Sequence, residues 1–148
     1  MARVSTYLNF PRSTEEAFNF YKTVFRSEFI GDITRMSEVP PEPGQPPVSD
    51  ADKNLVMHVE LPILGGSHSL MGTDAPESMG FTIITSNNIA INLMPDAKTE
   101  AERLFTELSG GGEIEMPLQK MFWGDYFASF SDKYSIRWMI NYTPPAEG

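Results

Sequence analysis

Residues 122 to 142 carry the sequence FWGDYFASFSDKYSIRWMINY, and this stretch decides the fold. Apolar and other side chains alternate on both sides of the polar segment Asp132 to Ser135, which is the period-two pattern of two strands joined by a turn. One face of the last strand carries Ile136, Trp138, Ile140 and Tyr142, and the other carries Arg137, Met139 and Asn141. We therefore predict a hairpin with a helix packed behind its apolar face and a partly wet concavity on its mixed face.

The composition limits the classes of partner. The 148 residues are enough for one compact domain or for two small modules that share a sheet. The net charge is -9, with 11 Lys and Arg against 20 Asp and Glu, and this balance argues against nucleic acid or an anionic membrane as partner. The absence of cysteine excludes disulfides, thiolate catalysis and Cys-ligated zinc.

The start of the chain gives no targeting signal. Residues 1 to 6 read MARVST, and no long apolar run follows the one cation among them. No apolar segment in the sequence reaches the ~18 residues that a membrane span needs. We expect a cytoplasmic protein.

The first half of the chain reads as a strand, a helix and three strands. Ser13 and Glu16 have the spacing of a capping box, and an apolar stripe follows them to about Arg26. Five prolines in the loop 39–53 exclude a regular element there, so the loop is either a mobile lid or a disordered insertion. Strands are predicted at 4–10, 28–38, 54–61 and 67–74. In the third of them, one face would carry Leu55, Met57, Val59 and Leu61 and the other Val56, His58 and Glu60.

The second half repeats this order. A short apolar run at 81–85 and a clearer strand at 88–94 precede a helix that Asp96 or Thr99 would cap and that Gly110–Gly112 would end. A strand at 113–118 leads to the hairpin. The two helices share one spacing of apolar residues: Ala17, Phe20, Tyr21 and Val24 in the first, and Ala101, Leu104, Phe105 and Leu108 in the second.

The repeated order indicates an internal duplication. We predict an α+β fold of two βαβββ modules, at about 1–75 and 80–143, whose curved mixed sheets surround a central concavity. Neither half alone has enough apolar surface for a stable core, so we expect a single domain that spans residues 1–148.

Several motifs then resemble a known family. These are YLNF at 7–10, MGTDA at 71–75, FWG at 122–124, DKY at 132–134 and WMIN at 138–141. Together they resemble the PhnB-like branch of the vicinal oxygen chelate superfamily, which contains glyoxalase I, extradiol dioxygenases and bleomycin- and fosfomycin-resistance proteins. The resemblance implies a homodimer and a glyoxalase/bleomycin-resistance-like fold. Members are often described as 3-demethylubiquinone methyltransferases, but the sequence has no glycine-rich loop for a nucleotide-derived methyl donor.

The resemblance also implies four metal-ligand positions, and this sequence fills them with poor ligands. Aligning the two halves with the superfamily's pattern places Thr6, Met71, Asn88 and Met139 there. Hard and borderline divalent cations prefer carboxylate or imidazole ligands, so we expect no metal or other cofactor. A shifted register would bring Asp74, Asn92 or Asn141 inward instead.

Two other sets of residues are candidates for chemistry. His58 and Glu60 share a strand face and form the best acid–base or ligand pair in the sequence, or else a solvated surface pair. Trp123, Phe127, Arg137 and Asn141 would supply a stacking ring, an anion-binding fork and an orienting amide beside the concavity, although Trp123 could instead cover the end of the sheet. Asp132 has the position of a turn-stabilising side chain.

The sequence therefore predicts a metal-free protein that binds a small, partly apolar molecule, with methionines lining its pocket. Two alternatives stay open. One is an enzyme with lyase, isomerase or ring-cleavage chemistry, which would use His58 and Glu60 or a metal in another register. The other is an interaction protein without a ligand. The sequence does not name the ligand.

Overall fold

The computed structural model describes residues 1–146 and divides the chain into two compact units. The first unit is Met1–Ile84, and the second begins at Thr85. Each unit has its own four-stranded mixed sheet and its own helix.

The first unit has the order strand, helix and three strands. In its sheet the strand order is β1-β4-β3-β2, with β1 and β4 parallel and the other neighbours antiparallel. Short 3₁₀ turns lie at Met36–Glu38, Leu64–Gly66 and Glu77–Met79. The elements are β1 (Thr6–Phe10), α1 (Thr14–Phe25), β2 (Thr34–Arg35), β3 (Val56–Ile63) and β4 (His68–Asp74).

The second unit repeats this topology. Its strand order is β5-β8-β7-β6, and β5 and β8 again form the one parallel pair. The elements are β5 (Ile91–Leu93), α2 (Lys98–Ser109), β6 (Glu113–Lys120), β7 (Tyr126–Ser131) and β8 (Arg137–Tyr142). The predicted α+β fold with two βαβββ modules is confirmed.

The predicted hairpin is present as β7 and β8, and Asp132 organises its turn. The Asp132 carboxylate accepts hydrogen bonds from the backbone amides of Tyr134 and Ile136 at 2.8 and 3.1 Å. Its other oxygen accepts a bond from Trp138 Nε1 at 2.8 Å. The buried face of β8 has the predicted composition, with Trp138 and Ile140 fully buried beneath α2. The side chain thus holds both the turn and the largest residue of the core.

The helix-facing side of the first sheet depends on a close contact at Gly72. A Cβ atom added to Gly72 would lie 2.5 Å from Phe18 Cε1 and 3.2 Å from Thr14 Cγ2, both on α1. Phe18 is itself fully buried. The absence of a side chain on β4 therefore lets the Phe18 ring lie directly on the strand.

The predicted capping box at Ser13 and Glu16 is wrong. The Ser13 side chain makes no capping hydrogen bond. Instead the buried carboxylate of Asp74, at the end of β4, accepts hydrogen bonds from the backbone amides of Thr14 at 3.1 Å and Val56 at 2.8 Å. One side chain thus serves the first turn of α1 and the start of β3. The second helix likewise has neither predicted cap, since its N-cap residue is Ala97.

Several predicted strands are shorter than expected or absent. Of 28–38, only Thr34–Arg35 is a strand, although Ile30 N donates to Glu60 O at 3.0 Å beside β3. No strand forms at 81–85, and the strand predicted at 88–94 is limited to Ile91–Leu93. The predicted faces of β3 are also wrong at its start, because a register shift opposite β2 buries Val56 and leaves Met57 40% exposed.

Candidate functional site

The side of each sheet that faces away from its helix is called its open face. In the second unit, the register pairs Phe127 with Asn141, Ser129 with Met139 and Ser131 with Arg137. Across the parallel pair, Asn92 lies beside Met139. The predicted pocket residues Phe127, Arg137, Met139 and Asn141 therefore share the open face of the second sheet, and all four are half-buried.

The guanidinium of Arg137 is already bound to a carboxylate. Its Nη1 and Nη2 atoms both donate to Glu115 on β6, and Ser129 Oγ donates to Glu115 Oε2 at 3.2 Å. These bonds, first that from Arg137, lower the pKa of Glu115. The Arg137 side chain is only 13% exposed, and its Nε is enclosed without a hydrogen-bond partner. The predicted anion-binding fork is thus occupied by a neighbouring side chain.

The amide of Asn141 is also engaged. Its Nδ2 donates to Asn92 Oδ1 at 2.5 Å, across the parallel pair of strands. Both side chains border a recess of about 530 Å³, which Met94, Asp96 and Asp125 also line. The pair fixes the orientation of the two amides on the open face.

The open face of the first sheet carries a different set of polar residues. The hydroxyl of Tyr7 lies 3.2 Å from His58 Nδ1, and Arg3 Nη2 donates to Glu60 Oε2 at 3.3 Å. Burial raises the pKa of Tyr7. His58 and Glu60 therefore share a strand face as predicted, but each contacts a different residue from the N-terminal segment.

The register of β1 places Tyr7, rather than the predicted Thr6, on the open face. Thr6 pairs with Leu70, which is fully buried on the helix-facing side, whereas Tyr7 pairs with Met71. Thr6 Oγ1 lies 2.8 Å from His68 Nε2. On the open face, it is thus Tyr7 that accompanies Met71, with the hydroxyl of Ser5 3.6 Å from the Met71 sulfur.

Two predicted pocket residues lie outside the sheets. Asn88 precedes β5, is exposed, and its Oδ1 accepts a bond from Ser86 Oγ at 2.9 Å. Trp123 lies in the tight turn between β6 and β7, where Gly124 N donates to Met121 O at 2.9 Å. Its ring packs edge-on against the ring of Phe122, with the two centroids 4.8 Å apart. Trp123 is 51% exposed and Phe122 is 96% exposed. The predicted aromatic strand thus starts only at Tyr126.

The side chains at the four implied metal positions do not fit a divalent metal. The residues predicted there have a hydroxyl, two thioethers and an amide, and the residues that the register places beside the two methionines, Tyr7 and Asn92, have a phenol and an amide. Divalent metals of this kind prefer carboxylate and imidazole ligands. Asp74, which a shifted register would have brought in, is buried and bonded to two backbone amides. Within residues 1–146, no group of three or more His, Asp or Glu side chains is placed to hold an ion.

Sequence reasoning missed Glu115 and Tyr7, and it named Asn92 only for a shifted register. Each lies on an open face beside a residue that was predicted. Strand alternation on β1 was the signal that could have located Tyr7, whereas a register shift in β6 surrounds Glu115. Over the described part of the chain, no helix is both long and apolar enough to cross a membrane.

The sequence profile of the family described as 3-demethylubiquinone-9 3-methyltransferase matches residues 2–141. The chain belongs to this family. It is the PhnB-like branch of the vicinal oxygen chelate superfamily, as the sequence motifs indicated.

Individual relatives agree with this assignment. The PhnB-like chain is 26% identical to protein YjdN of Escherichia coli K12 over 143 residues, which are 93% of each chain. It is 29% identical to the crystal structure of protein PA1353 from Pseudomonas aeruginosa, covering 97% of this chain and 98% of that one, with a TM-score of 0.81. A PhnB protein from Bacillus cereus is 24% identical, with 96% and 100% covered and a TM-score of 0.72.

A more distant structure connects the PhnB-like fold to the wider superfamily. A glyoxalase/bleomycin resistance protein/dioxygenase family enzyme from Burkholderia phytofirmans is 18% identical, with 94% and 98% covered and a TM-score of 0.60. At this identity the likeness concerns the fold alone. The predicted glyoxalase/bleomycin-resistance-like architecture is confirmed.

Proposed function

We propose that this PhnB-like protein binds a small, partly apolar molecule without a divalent metal, and that the ligand contacts the open face of the second sheet. The observation that carries the proposal is the composition of that face. Phe127 and Met139 supply apolar surface, while Arg137 and Asn141 supply fixed polar groups. Ligand sites typically combine mostly apolar lining with a few well-placed polar groups.

The support for binding without a metal comes from the residues at the family's ligand positions. Met71 and Met139 occupy corresponding positions on β4 and β8, each next to the strand that pairs in parallel. A thioether adapts its shape to an apolar or planar ligand, but it binds hard divalent cations poorly. Methyl transfer from a nucleotide-derived donor is not part of the proposed function, because each sheet has one parallel pair rather than the mostly parallel nucleotide-binding sheet.

Substitution of Met139 tests the site. Met139→Lys places a charge on the open face, and we expect it to weaken ligand binding at least tenfold while the protein stays folded, because the position is only half-buried. Ile114→Lys is the control, since Ile114 is 52% exposed in the same unit and pairs with Phe130, which packs against Phe105 of α2 away from the open face. Ligands are found by thermal-shift screening of a metabolite library and confirmed by calorimetry. Equal affinities in both variants would contradict the proposed site.

Elemental analysis tests the second part of the proposal. Protein produced in medium supplemented with zinc, manganese, nickel and iron should carry far less than one equivalent of any divalent ion. A stoichiometric ion that EDTA removes, with loss of ligand binding, would overturn the metal-free proposal and favour an enzyme.

We also propose that the protein forms a homodimer, as the family resemblance implies. Large apolar side chains stand exposed at Phe122, Ile84 and Ile89, and exposed apolar surface commonly marks an interface. Light scattering should give twice the 16.6 kDa chain mass. A single-chain mass at micromolar concentration would contradict this proposal.

A further inference from the structure

A polar cavity of about 780 Å³ lies at one end of the second sheet. Its floor includes Arg137 and Glu115 from the open face, and its walls come from the glycine loop before β6, the β7–β8 turn and the segment 85–87. Gly112 allows this arrangement, because a Cβ atom there would lie 2.0 Å from the carbonyl oxygen of Ser131. The cavity is thus built by a close approach of two loops within one unit.

The charges of the lining do not favour an anion. Glu113 and Glu115 contribute two carboxylates, and Lys133 and Arg137 contribute two cations, while the carboxylate of Asp132 is buried and bonded within the turn. The guanidinium of Arg137 is bound through two nitrogens to Glu115. An anionic ligand would have to displace the Glu115 carboxylate from Arg137 and approach the carboxylate of Glu113, and both steps cost electrostatic free energy.

The uncharged lining instead presents many groups that both donate and accept hydrogen bonds. Four hydroxyls and one amide line the cavity: Thr85, Ser86, Ser131, Ser135 and Asn87. The floor offers an acceptor, since the Glu115 side chain is 49% exposed, and the enclosed Nε of the adjoining Arg137 has no hydrogen-bond partner. A ligand hydroxyl matches this pair, because it can donate to the carboxylate and accept from the guanidinium once that side chain turns toward it. An ammonium group cannot accept a hydrogen bond.

We propose that this cavity binds a neutral, polyhydroxylated group, such as a sugar ring or cyclitol. The inference rests on the proposed function, because Arg137 belongs to both sites, and it names the polar part of the ligand. The apolar part would lie on Met139 and Phe127.

Three sugars that differ only in charge test the chemistry. D-galactose, D-galacturonate and D-galactosamine are titrated into the full chain by ligand-detected NMR. We expect galactose to bind at least tenfold more tightly than galacturonate and at least as tightly as galactosamine. Tightest binding of galacturonate would show an anion site, tightest binding of galactosamine a cation site, and absence of binding by all three no sugar site. Each of these results would overturn the proposal.

Variants then assign the binding to the cavity. Glu115→Gln frees the charge of Arg137, so we expect galactose to bind about tenfold more weakly and galacturonate about tenfold more tightly. Ser131→Ala should weaken galactose binding severalfold, because one net hydrogen bond contributes about 1 kcal/mol. The matched control is Arg103→Lys, which alters the Arg103–Glu107 pair on α2 outside the cavity. An unchanged preference between the two sugars in Glu115→Gln would contradict the charge argument.

The outcome also separates this proposal from the broader one. If an apolar ligand binds and Met139→Lys abolishes it, while Glu115→Gln and Ser131→Ala have no effect on any ligand, the sugar site is wrong and the proposed function stands. If no library member and no sugar binds, both proposals are wrong.

Discussion

The two units have the same topology but fill the space between helix and sheet in opposite ways. Alignment of the helical stripes places Glu102 of α2 at the position of Phe18, and alignment of Met71 with Met139 places Ile140 at the position of Gly72. In the first unit, the large side chain is on the helix and the strand has none. In the second unit, Glu102 is exposed and the buried side chain of Ile140 belongs to the strand. At these corresponding positions, the helix therefore supplies the buried side chain in the first unit and the strand supplies it in the second.

The open faces differ as well. Each sheet carries a methionine at the corresponding position, Met71 or Met139. Around it, the first unit places a tyrosine–histidine contact, and the second an arginine–glutamate pair. The two open faces thus share a thioether and differ in the polar groups around it.

The largest expected effect comes from giving the first unit the strand side chain of the second, an isoleucine at the position of Gly72. Gly72→Ile in the first unit would force the side chain into Phe18, and we expect a loss of about 3 kcal/mol in the free energy of unfolding. Phe18→Ala in the same molecule makes room, so the double variant should lose less than the sum of the single losses. Urea unfolding of the four proteins measures this coupling. Additive losses would show that the two residues do not share one space.

The next prediction compares Asp74 and Tyr142, the last residues of β4 and β8. Asp74→Ala would leave two backbone amides of the first unit without their acceptor, and we expect a loss of about 3 kcal/mol. Tyr142 occupies the corresponding place in the second unit, where α2 has no side-chain cap. Tyr142→Phe should therefore cost under about 1 kcal/mol. Similar losses in urea unfolding would refute the asymmetry.

A smaller effect concerns a loop anchor that belongs to the first unit. Asp52, at the end of the proline-rich loop, accepts hydrogen bonds from Ser78 Oγ at 2.6 Å and from Arg12 Nη1 at 2.8 Å. These bonds, with the charge of Arg12, lower the pKa of Asp52. The folded protein thus binds this proton less tightly than the unfolded chain does. The stabilisation is complete above the unfolded pKa of about 4, and it is lost as the pH falls through the folded value.

The measurement compares wild type with Asp52→Asn by urea unfolding between about pH 6 and pH 3. We expect wild type to be the more stable at pH 6 and the difference to shrink toward pH 3. Asp50→Asn is the control, because the Asp50 side chain is fully exposed in the same loop. A difference that stays constant or grows on acidification would contradict the assignment to Asp52.

The features that the sequence predicted are those set by local periodicity. Alternation around Asp132 predicted β7, β8 and their faces, and the helical stripes predicted both helices. The features it did not predict depend on residues far apart in the chain. The cap of α1 comes from Asp74, sixty residues away, so the favourable local pattern at Ser13 could not reveal it. The apolar run at 81–85 has the composition of a strand, but it has no hydrogen-bonded neighbour strand in the structure.

For the candidate site, the sequence likewise predicted which residues share a strand face but not which side chains contact each other. Arg137, Met139 and Asn141 lie on one face because alternation places them there, as predicted. Alternation could not show that the Glu115 carboxylate binds the guanidinium of Arg137. Glu115 lies on β6 and Arg137 on β8, and the register between β6 and the intervening β7 is shifted. Whether these residues bind a ligand stays a prediction.

Because α1 is capped by a residue far along the chain, the cap affects when the first unit can fold during synthesis. On the ribosome, Thr14 emerges early, but the carboxylate that its amide requires is added only with Asp74. Until β4 has been synthesised, α1 has neither that acceptor nor the strand on which Phe18 rests, and a lone helix of 12 residues is marginal in water. The first unit is therefore expected to become stable in a single step, late in its own translation.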